Sequence, residues 1–194
     1  MNKEKDITGI ILAGGKSSRM GREKGLILLQ NKPFIQHIID AVQPLVTELI
    51  IVSSNPDYDT FNIKRIEDIV PESGPIAGIH AGLLHSKTKN NLVISCDVPL
   101  INTGVLQQLL EYRTENYDIV QFESKGKTIP LIALYKKQCA EKCFELLKNG
   151  ERRLRKLVLA MRTKTITVSE KEEALVINLN TIEDLKTITD AIDY

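Results

Sequence analysis

Residues 7–24 read ITGIILAGGKSSRMGREK. Positions 7–13 form an apolar run without alternation, which predicts a strand buried on both faces. The run breaks at Gly14-Gly15 and passes into a short loop of Ser, Arg, Gly and Lys. A buried strand ending in such a loop lets backbone N–H groups point at phosphate oxygens. Glycine matters there because a Cβ would hold the backbone away from an anion. Arg19 and Lys24 add fixed positive charge that suits a polyphosphate. The spacing L-A-G-G-x-S-x-R-M-G-x-x-K is neither a Walker A motif nor a G-x-G-x-x-G fingerprint, yet it gathers donors and two cations in one connection.

Outward from this stretch, the chain alternates strand and helix. Pro33 suits the first turn of a helix, and Phe34, Ile35, Ile38, Ile39, Val42 and Leu45 recur at helical spacing. Glu48 to Ser53 reads as a second buried strand, closed by Ser54-Asn55-Pro56-Asp57, and Ile63 to Ile66 as a short third. A turn at Ser73-Gly74 opens a helix with Pro75 near its start. Gly78 and Gly82 lie four apart on that helix and permit close backbone packing. Leu92 to Cys96 is another buried strand, ending in Asp97-Val98-Pro99. Residues 102–115 read as a helix with Asn102 or Thr103 as N-cap. Tyr117 to Phe122 and Ile129 to Tyr135 form a strand pair around Ser124-Lys125-Gly126-Lys127. Residues 137–148 are helical and end at Asn149-Gly150. A basic helix follows from Glu151 to Met161, then a strand at Thr165 to Val168 and a last strand at Leu175 to Leu179. Thr181 and Asp184 are spaced as a capping box for a final helix. This alternation predicts an α/β fold with a mostly parallel sheet and helices on both faces, in one domain spanning 1–194.

Composition narrows the function. With 42% hydrophobic and 26% charged residues the chain has the make-up of a soluble globular protein. A net charge of +1 makes no general electrostatic case for nucleic acid or membrane partners. The charged start, MNKEKD, runs straight into a strand rather than a signal-peptide core, so the expected location is the cytoplasm. Cys96, Cys139 and Cys143 do not make a disulfide framework. Cys139 and Cys143 lack partner ligands nearby and read as structural, as do His37, His80 and His85.

Three further places carry chemistry. Asp97 stands at the end of a buried parallel strand, where α/β sheets place ligands. Its carboxylate suits Mg²⁺ bridging nucleotide phosphates, or else caps the turn before Pro99. Asp68, also at a strand end, precedes the glycine-rich turn at 74–78, which leaves room for a base or a ribose; alone it reads as a solvated carboxylate. Asn178 and Asn180 share one side if 175–180 is extended, and either bind a ligand or cap the next helix. Arg152, Arg153, Arg155 and Lys156 are a solvated helix face or, more sharply, a grip on an anionic substrate.

Taken together, LAGGKSSRMGREKGL, NKPFIQH, the ED preceding SGPIAGI, CDVPLI, GKTIPLIALY, GERRL and NLNT-EDL make the chain resemble the molybdenum cofactor guanylyltransferases nearly end to end. The resemblance implies a single-domain, Rossmann-like nucleotidyltransferase fold. It implies transfer of GMP from GTP to the phosphate of Mo-molybdopterin, with release of pyrophosphate and with Mg²⁺ as cofactor. By the same resemblance Leu12, Ala13 and Gly14, with Gly15 beside them, line the GTP site. Lys24 contacts phosphate, Asn55 and Asp68 contact the nucleotide, and Asp97 binds both Mg²⁺ and nucleotide. Asp97, Lys24 and Arg19 form the catalytic set, while Arg153, Asn178 and Asn180 are the candidates for the pterin's anionic end. Transient contacts with proteins that deliver the cofactor and with acceptor enzymes are implied as well. A cytidylyl- or sugar-nucleotidyltransferase would share the loop and the metal carboxylate. A non-catalytic carrier would have lost Asp97 or Lys24, and both are present.

Overall fold

The computed structural model describes residues 6–14, 23–68, 73–181, 183, 184 and 186. Strand β1 (Ile7–Leu12) is buried along its whole length. Its odd-numbered side chains enter one core and its even-numbered ones another. Ile7 and Ile11 pack with Ile35, Ile38 and Val42 of α1 (Phe34–Val42) and Val105, Leu106 and Leu109 of α3 (Thr103–Leu110). Ile10 and Leu12 pack with Ile76, Ile79 and Leu83 of α2 (Pro75–His85), Cys143 of α4 (Cys139–Lys148) and Leu157 of α5 (Leu154–Ala160). A strand covered on both faces has no room for polar alternation, and its run of apolar residues follows from that.

Around β1 the main sheet is completed by β4 (Glu48–Val52), β5 (Lys64–Ile66), β6 (Asn90–Ser95), β7 (Ile119–Ser124), β8 (Lys127–Lys136) and β9 (Thr163–Thr167). The order is β5-β4-β1-β6-β8-β7-β9. All neighbours are parallel except those of β8, which runs opposite to β6 and β7. The mostly parallel sheet with helices on both faces is therefore as expected. Two short strands, β2 (Leu28–Leu29) and β3 (Lys32–Pro33), pair separately across Gln30-Asn31, both at positive φ. The hairpin between β7 and β8 turns on Lys125 and Gly126, at φ 51° and 73°, the backbone that a two-residue turn requires.

The glycine spacing of α2 has its physical reason in packing. A Cβ on Gly82 would stand 2.5 Å from Ile10 Cγ2, and one on Gly78 would stand 3.2 Å from Leu12 Cδ2. The helix thus lies directly on β1 because two of its residues have no side chain.

Three expectations are corrected. Leu175 to Leu179 is not a strand. A 3₁₀ helix spans Glu170–Val176, opened by a capping box between Ser169 and Glu172, and 177–180 is irregular. The basic helix begins at Leu154 rather than Glu151, because Glu151 binds the Arg153 guanidinium and accepts from the N–H groups of Arg152 and Arg153. The helix placed at 102–115 ends at Leu110, with Asn102 as the N-cap, accepting from Val105 N–H at 2.9 Å. Among the described residues no helix is long and apolar enough to cross a membrane.

Candidate active site

The sheet register builds the site. Leu12 pairs with Val52 and Ser95, and Val52 pairs with Ile66, so four parallel strands end at one level. Two residues beyond that level stand Gly14, Ser54, Asp68 and Asp97. Backbone bonds lock the ends together: Ala13 N–H to Val52 O at 2.9 Å, Ser53 N–H to Ile66 O at 2.9 Å and Cys96 N–H to Leu12 O at 3.0 Å. The order places β4 and β6 on opposite sides of β1, so the chain reverses its direction of travel there. Such a switch point opens a crevice at the carboxyl ends of the strands.

A cleft of ≈ 640 Å³ fills that position. Leu12, Gly14, Glu23, Ser53, Ser54 and Asp68 line it, together with Ser73, Gly74, Pro75 and Gly78 from the start of α2, and Ser95 and Leu131. Apart from its chain neighbours, no atom of the described residues lies within 4 Å of where a Cβ on Gly14 would stand. Ala13 instead buries its methyl in the core under the α1 face. Gly74, at φ +69°, caps α2 without a side chain, which leaves the amide end of that helix open to the cleft. Leu131 arrives by an irregularity in β8. Gln121 pairs with Ala133 but the next residue, Phe122, pairs with Ile129, so 130–132 have no partner in β7, and Pro130 has no N–H for the ladder.

Both acidic residues hold an unsatisfied oxygen. Oδ1 of Asp97 and Oδ1 of Asp68 are buried and have no hydrogen-bond partner among the described residues. Burial raises the Asp68 carboxyl above the usual carboxylate range. Its Oδ1 lies 3.4 Å from where a Cβ on Gly78 would stand, so that glycine leaves the carboxylate its place. Lys24, at the start of a 3₁₀ turn Lys24–Leu26, reaches Asp97 Oδ2 at 3.5 Å and donates to Asn180 Oδ1 at 2.6 Å. The turn is seated on Tyr58, which is fully buried and donates to Glu23 Oε2 at 3.4 Å. Burial first, then the nearby charges of Cys96 and Glu23, push the Tyr58 phenol upward. The Cys96 thiol is pushed up to about 12, chiefly by burial and then by Asp97, so it is no nucleophile.

Among the described residues no three His, Cys, Asp or Glu side chains form a metal cage. Asp97 still fits a hard divalent cation. It offers one buried carboxylate oxygen with no partner among the described residues, two positions on from Ser95 of the cleft lining, and Mg²⁺ characteristically takes one or two carboxylates and completes its shell with phosphate and water.

The sequence-derived candidates separate. Leu12, Gly14 and Asp68 line the cleft, and Lys24, Asp97 and Asn180 meet in one cluster. Asn55 does not face the cleft. Its amide oxygen accepts from Asp57 N–H at 2.9 Å and caps the 3₁₀ helix Pro56–Phe61, while Ser53 and Ser54 stand in the lining. Arg153 is exposed and its guanidinium is engaged by Glu151, although the neighbouring Arg152 carbonyl lies 3.6 Å from the Cβ position of Gly74 at the cleft's rim. The Asn178 carbonyl accepts from the Asn180 amide at 3.5 Å. Gly15 and Arg19 lie outside the described residues. Sequence reasoning missed Glu23, Ser53, Ser54, Ser73 and Leu131. The serines sit at strand and turn ends already marked as such, and nothing in the sequence marks Leu131.

Residues 9–165 match the family described as the MobA-like NTP transferase domain. The chain belongs to that family. It is accordingly an enzyme, a nucleotidyltransferase. Among its relatives, a probable molybdenum cofactor guanylyltransferase of Flavobacterium johnsoniae is 38% identical over 179 residues, 92% of this chain and 94% of the relative. A molybdenum cofactor guanylyltransferase of Vibrio vulnificus is 34% identical, with 91% of each chain covered. Among solved structures, molybdopterin-guanine dinucleotide biosynthesis protein A of Archaeoglobus fulgidus superposes with a TM-score of 0.82 over 96% of this chain and 98% of the other, at 24% identity, a likeness of fold. Every strand end that bounds the cleft falls within the MobA-like match, whereas Leu179 and Asn180 lie beyond residue 165.

Proposed function

We propose that this MobA-like transferase moves GMP from GTP to the terminal phosphate of Mo-molybdopterin. The products are the guanine dinucleotide form of the cofactor and pyrophosphate. The observation that carries the reading is the Asp97 carboxylate, buried with one oxygen unpartnered and set beside Lys24 at the switch point of the sheet. The names of the relatives at 34% and 38% identity support the choice of acceptor and base.

Nucleotidyl transfer needs position and charge neutralisation more than covalent help. Leu12 and Gly14 form the wall against which base and sugar rest, and Gly14 admits the nucleotide because it has no side chain. Asp68 and the open amide end of α2 meet the polar groups of the nucleoside. Lys24 and Arg19 hold the β- and γ-phosphates and stabilise the charge that builds on them as pyrophosphate leaves. Asp97 would hold Mg²⁺, which when bound neutralises the phosphate charge around the reacting phosphorus. An oxygen of the acceptor phosphate forms the new bond to the α-phosphorus, and the bond from that phosphorus to the bridging oxygen breaks. A phosphate nucleophile is already ionised near neutral pH, so no side chain has to remove a proton. Arg153 and Asn178 are the proposed contacts for the pterin's anionic end. In the cell the substrates would pass to and from proteins that deliver and accept the cofactor.

The test is mass spectrometry of the product from GTP, Mg²⁺, molybdopterin and molybdate, with pyrophosphate release followed in parallel. Formation of the guanine dinucleotide is expected, and thermal shifts with Mg²⁺ should be larger for GTP than for CTP or UTP. Absence of the dinucleotide, or preference for CTP or UTP, overturns the reading.

A further inference from the structure

The segment that carries Asn180 is anchored on both sides. Leu179 is fully buried against Leu29 and Phe34, with Ile27 and Leu100 packed around it, and its N–H donates to the Asp97 carbonyl at 2.8 Å. One residue on, Asn180 N–H donates to Asp184 Oδ2 at 2.8 Å, and Thr181 N–H donates to the same oxygen at 2.9 Å. The Asp184 N–H in turn donates to Thr181 Oγ1 at 3.0 Å. The main chain at Asn180 therefore has little freedom, and its side-chain oxygen stands in a set place.

Lys24 Nζ comes to that oxygen at 2.6 Å while remaining 3.5 Å from Asp97 Oδ2. The short bond goes to a neutral amide and the long one to a carboxylate. An ammonium free to choose would close on the carboxylate to about 2.7–2.9 Å, since charge-assisted bonds are the shorter and stronger kind. We propose that Asn180 is a positioning residue for Lys24. It holds the ammonium back from Asp97, so that the carboxylate stays available to a divalent cation. An ammonium has three donors; Asn180 takes one and Asp97 a second at long range, which leaves an N–H for a phosphate. This rests on the guanylyltransferase reading. It also moves Asn180 from the pterin end, where sequence pattern put it, to the phosphate end of the bound nucleotide.

Loss of Asn180 would let Lys24 fall onto Asp97. The lysine would then compete with the cation and withdraw from the phosphates. Both effects weaken binding of GTP with Mg²⁺, and neither involves the acceptor. A residue that served only the acceptor would leave GTP binding unchanged.

The experiment is isothermal titration of GTP in the presence of Mg²⁺, without molybdopterin, on the wild type, Asn180→Ala, Lys24→Ala and the double variant. Asn180→Ala should weaken GTP binding about tenfold, the scale of one hydrogen bond to a charged group. It should also raise the Mg²⁺ concentration needed for half-saturation. In the Lys24→Ala background the same substitution should change neither quantity. If Asn180→Ala melts well below the wild type, Asn180→Leu keeps the side-chain volume without the oxygen and should show the same non-additivity. An equal loss in both backgrounds means a general structural role and overturns the proposal. Wild-type GTP binding in Asn180→Ala overturns it alone, whereas a wild-type protein that binds no GTP overturns the guanylyltransferase reading and this proposal with it.

Discussion

Asp97→Asn keeps the shape of the side chain and removes its charge, and the structure separates what this does to stability from what it does to turnover. The Lys24 ammonium stands 3.5 Å from Asp97 Oδ2, with the two side chains 25% and 11% exposed. At an effective dielectric constant of about 20, charges at that distance attract by about 5 kcal/mol. Withdrawing a carboxylate from water costs several kcal/mol, so the net worth of such a pair is close to zero. The asparagine can still accept from Lys24 with its oxygen, and its amide replaces the oxygen that has no partner. Stability should therefore change by no more than about 1 kcal/mol, a shift of about 2–4 °C in Tm for a chain of this size. Turnover should fall by at least about 10²–10³-fold, the scale on which a group aimed at transition-state charge acts. Urea unfolding followed by circular dichroism gives the first number, and pyrophosphate release with GTP, Mg²⁺ and Mo-molybdopterin gives the second. A stability loss beyond about 3 kcal/mol would show Asp97 to be a structural anchor, as broken buried pairs behave. Turnover within tenfold of wild type would refute its role at the metal.

Burial raises the Asp68 carboxyl, so the folded state holds that proton more tightly than the unfolded chain. Stability from this group is then lost as pH rises through its folded value. Asp68→Asn should match the wild-type apo protein in acid, where both side chains are neutral, and exceed it at neutral pH; parallel melting curves that never diverge would refute this. Gly82→Ala brings a Cβ to 2.5 Å from the fully buried Ile10 and should cost about 1–3 kcal/mol in chemical denaturation, with an unaffected midpoint as the contrary result. Gly25→Ala would set a Cβ 2.6 Å from the Tyr58 hydroxyl, shifting the turn that carries Lys24. Its GTP binding should weaken, and Tyr58→Phe in the same chain should restore part of it by removing that oxygen. Glu151, half-buried and held by the Arg153 guanidinium first and then by backbone N–H groups, should titrate near 2 by carbon NMR. Its contribution to stability is present above the ordinary glutamate value and is lost as pH falls through about 2, and a midpoint above 4 would show the contact absent in solution.

β1, β4 and β6 were legible because each is a short apolar run with a punctuating Gly, Asn or Asp after it, while β5, at the sheet's edge, was marked only by Ile63, Ile66 and the Glu67-Asp68 that follows. The sheet buries the inner strands on two faces, whereas β5 is exposed at Lys64 and buried only at Ile66. Leu175 to Leu179 failed because five mostly apolar residues look alike whether extended or coiled. Val176 and Leu179 are buried while Ile177 is 45% exposed, a spacing of three that a strand does not give. The S-x-x-E of Ser169 to Glu172 was the available signal, since a capping box announces a helical turn. Asn55 had its own warning in the proline that follows it, for Asn-Pro is how a helical turn starts. The cluster of Lys24, Asp97 and Asn180 was beyond reach as geometry. Its members lie 73 and 156 positions apart along the chain, and no local pattern states that they meet.

The anchoring of Leu179 on the Asp97 carbonyl has a consequence for what a shortened chain could do. The last strand of the sheet ends at Thr167 and the described residues of both cores end at Val176, so a chain that stops short of residue 179 still carries every described strand and both cores. In such a chain Lys24 has no asparagine to meet, and its remaining partner among the described residues is the carboxylate. The half-made molecule would hold its own ammonium where the cation belongs. Tight binding of GTP with Mg²⁺ would then belong to the chain that includes the segment freeing Asp97, and a chain cut before it would bind more weakly.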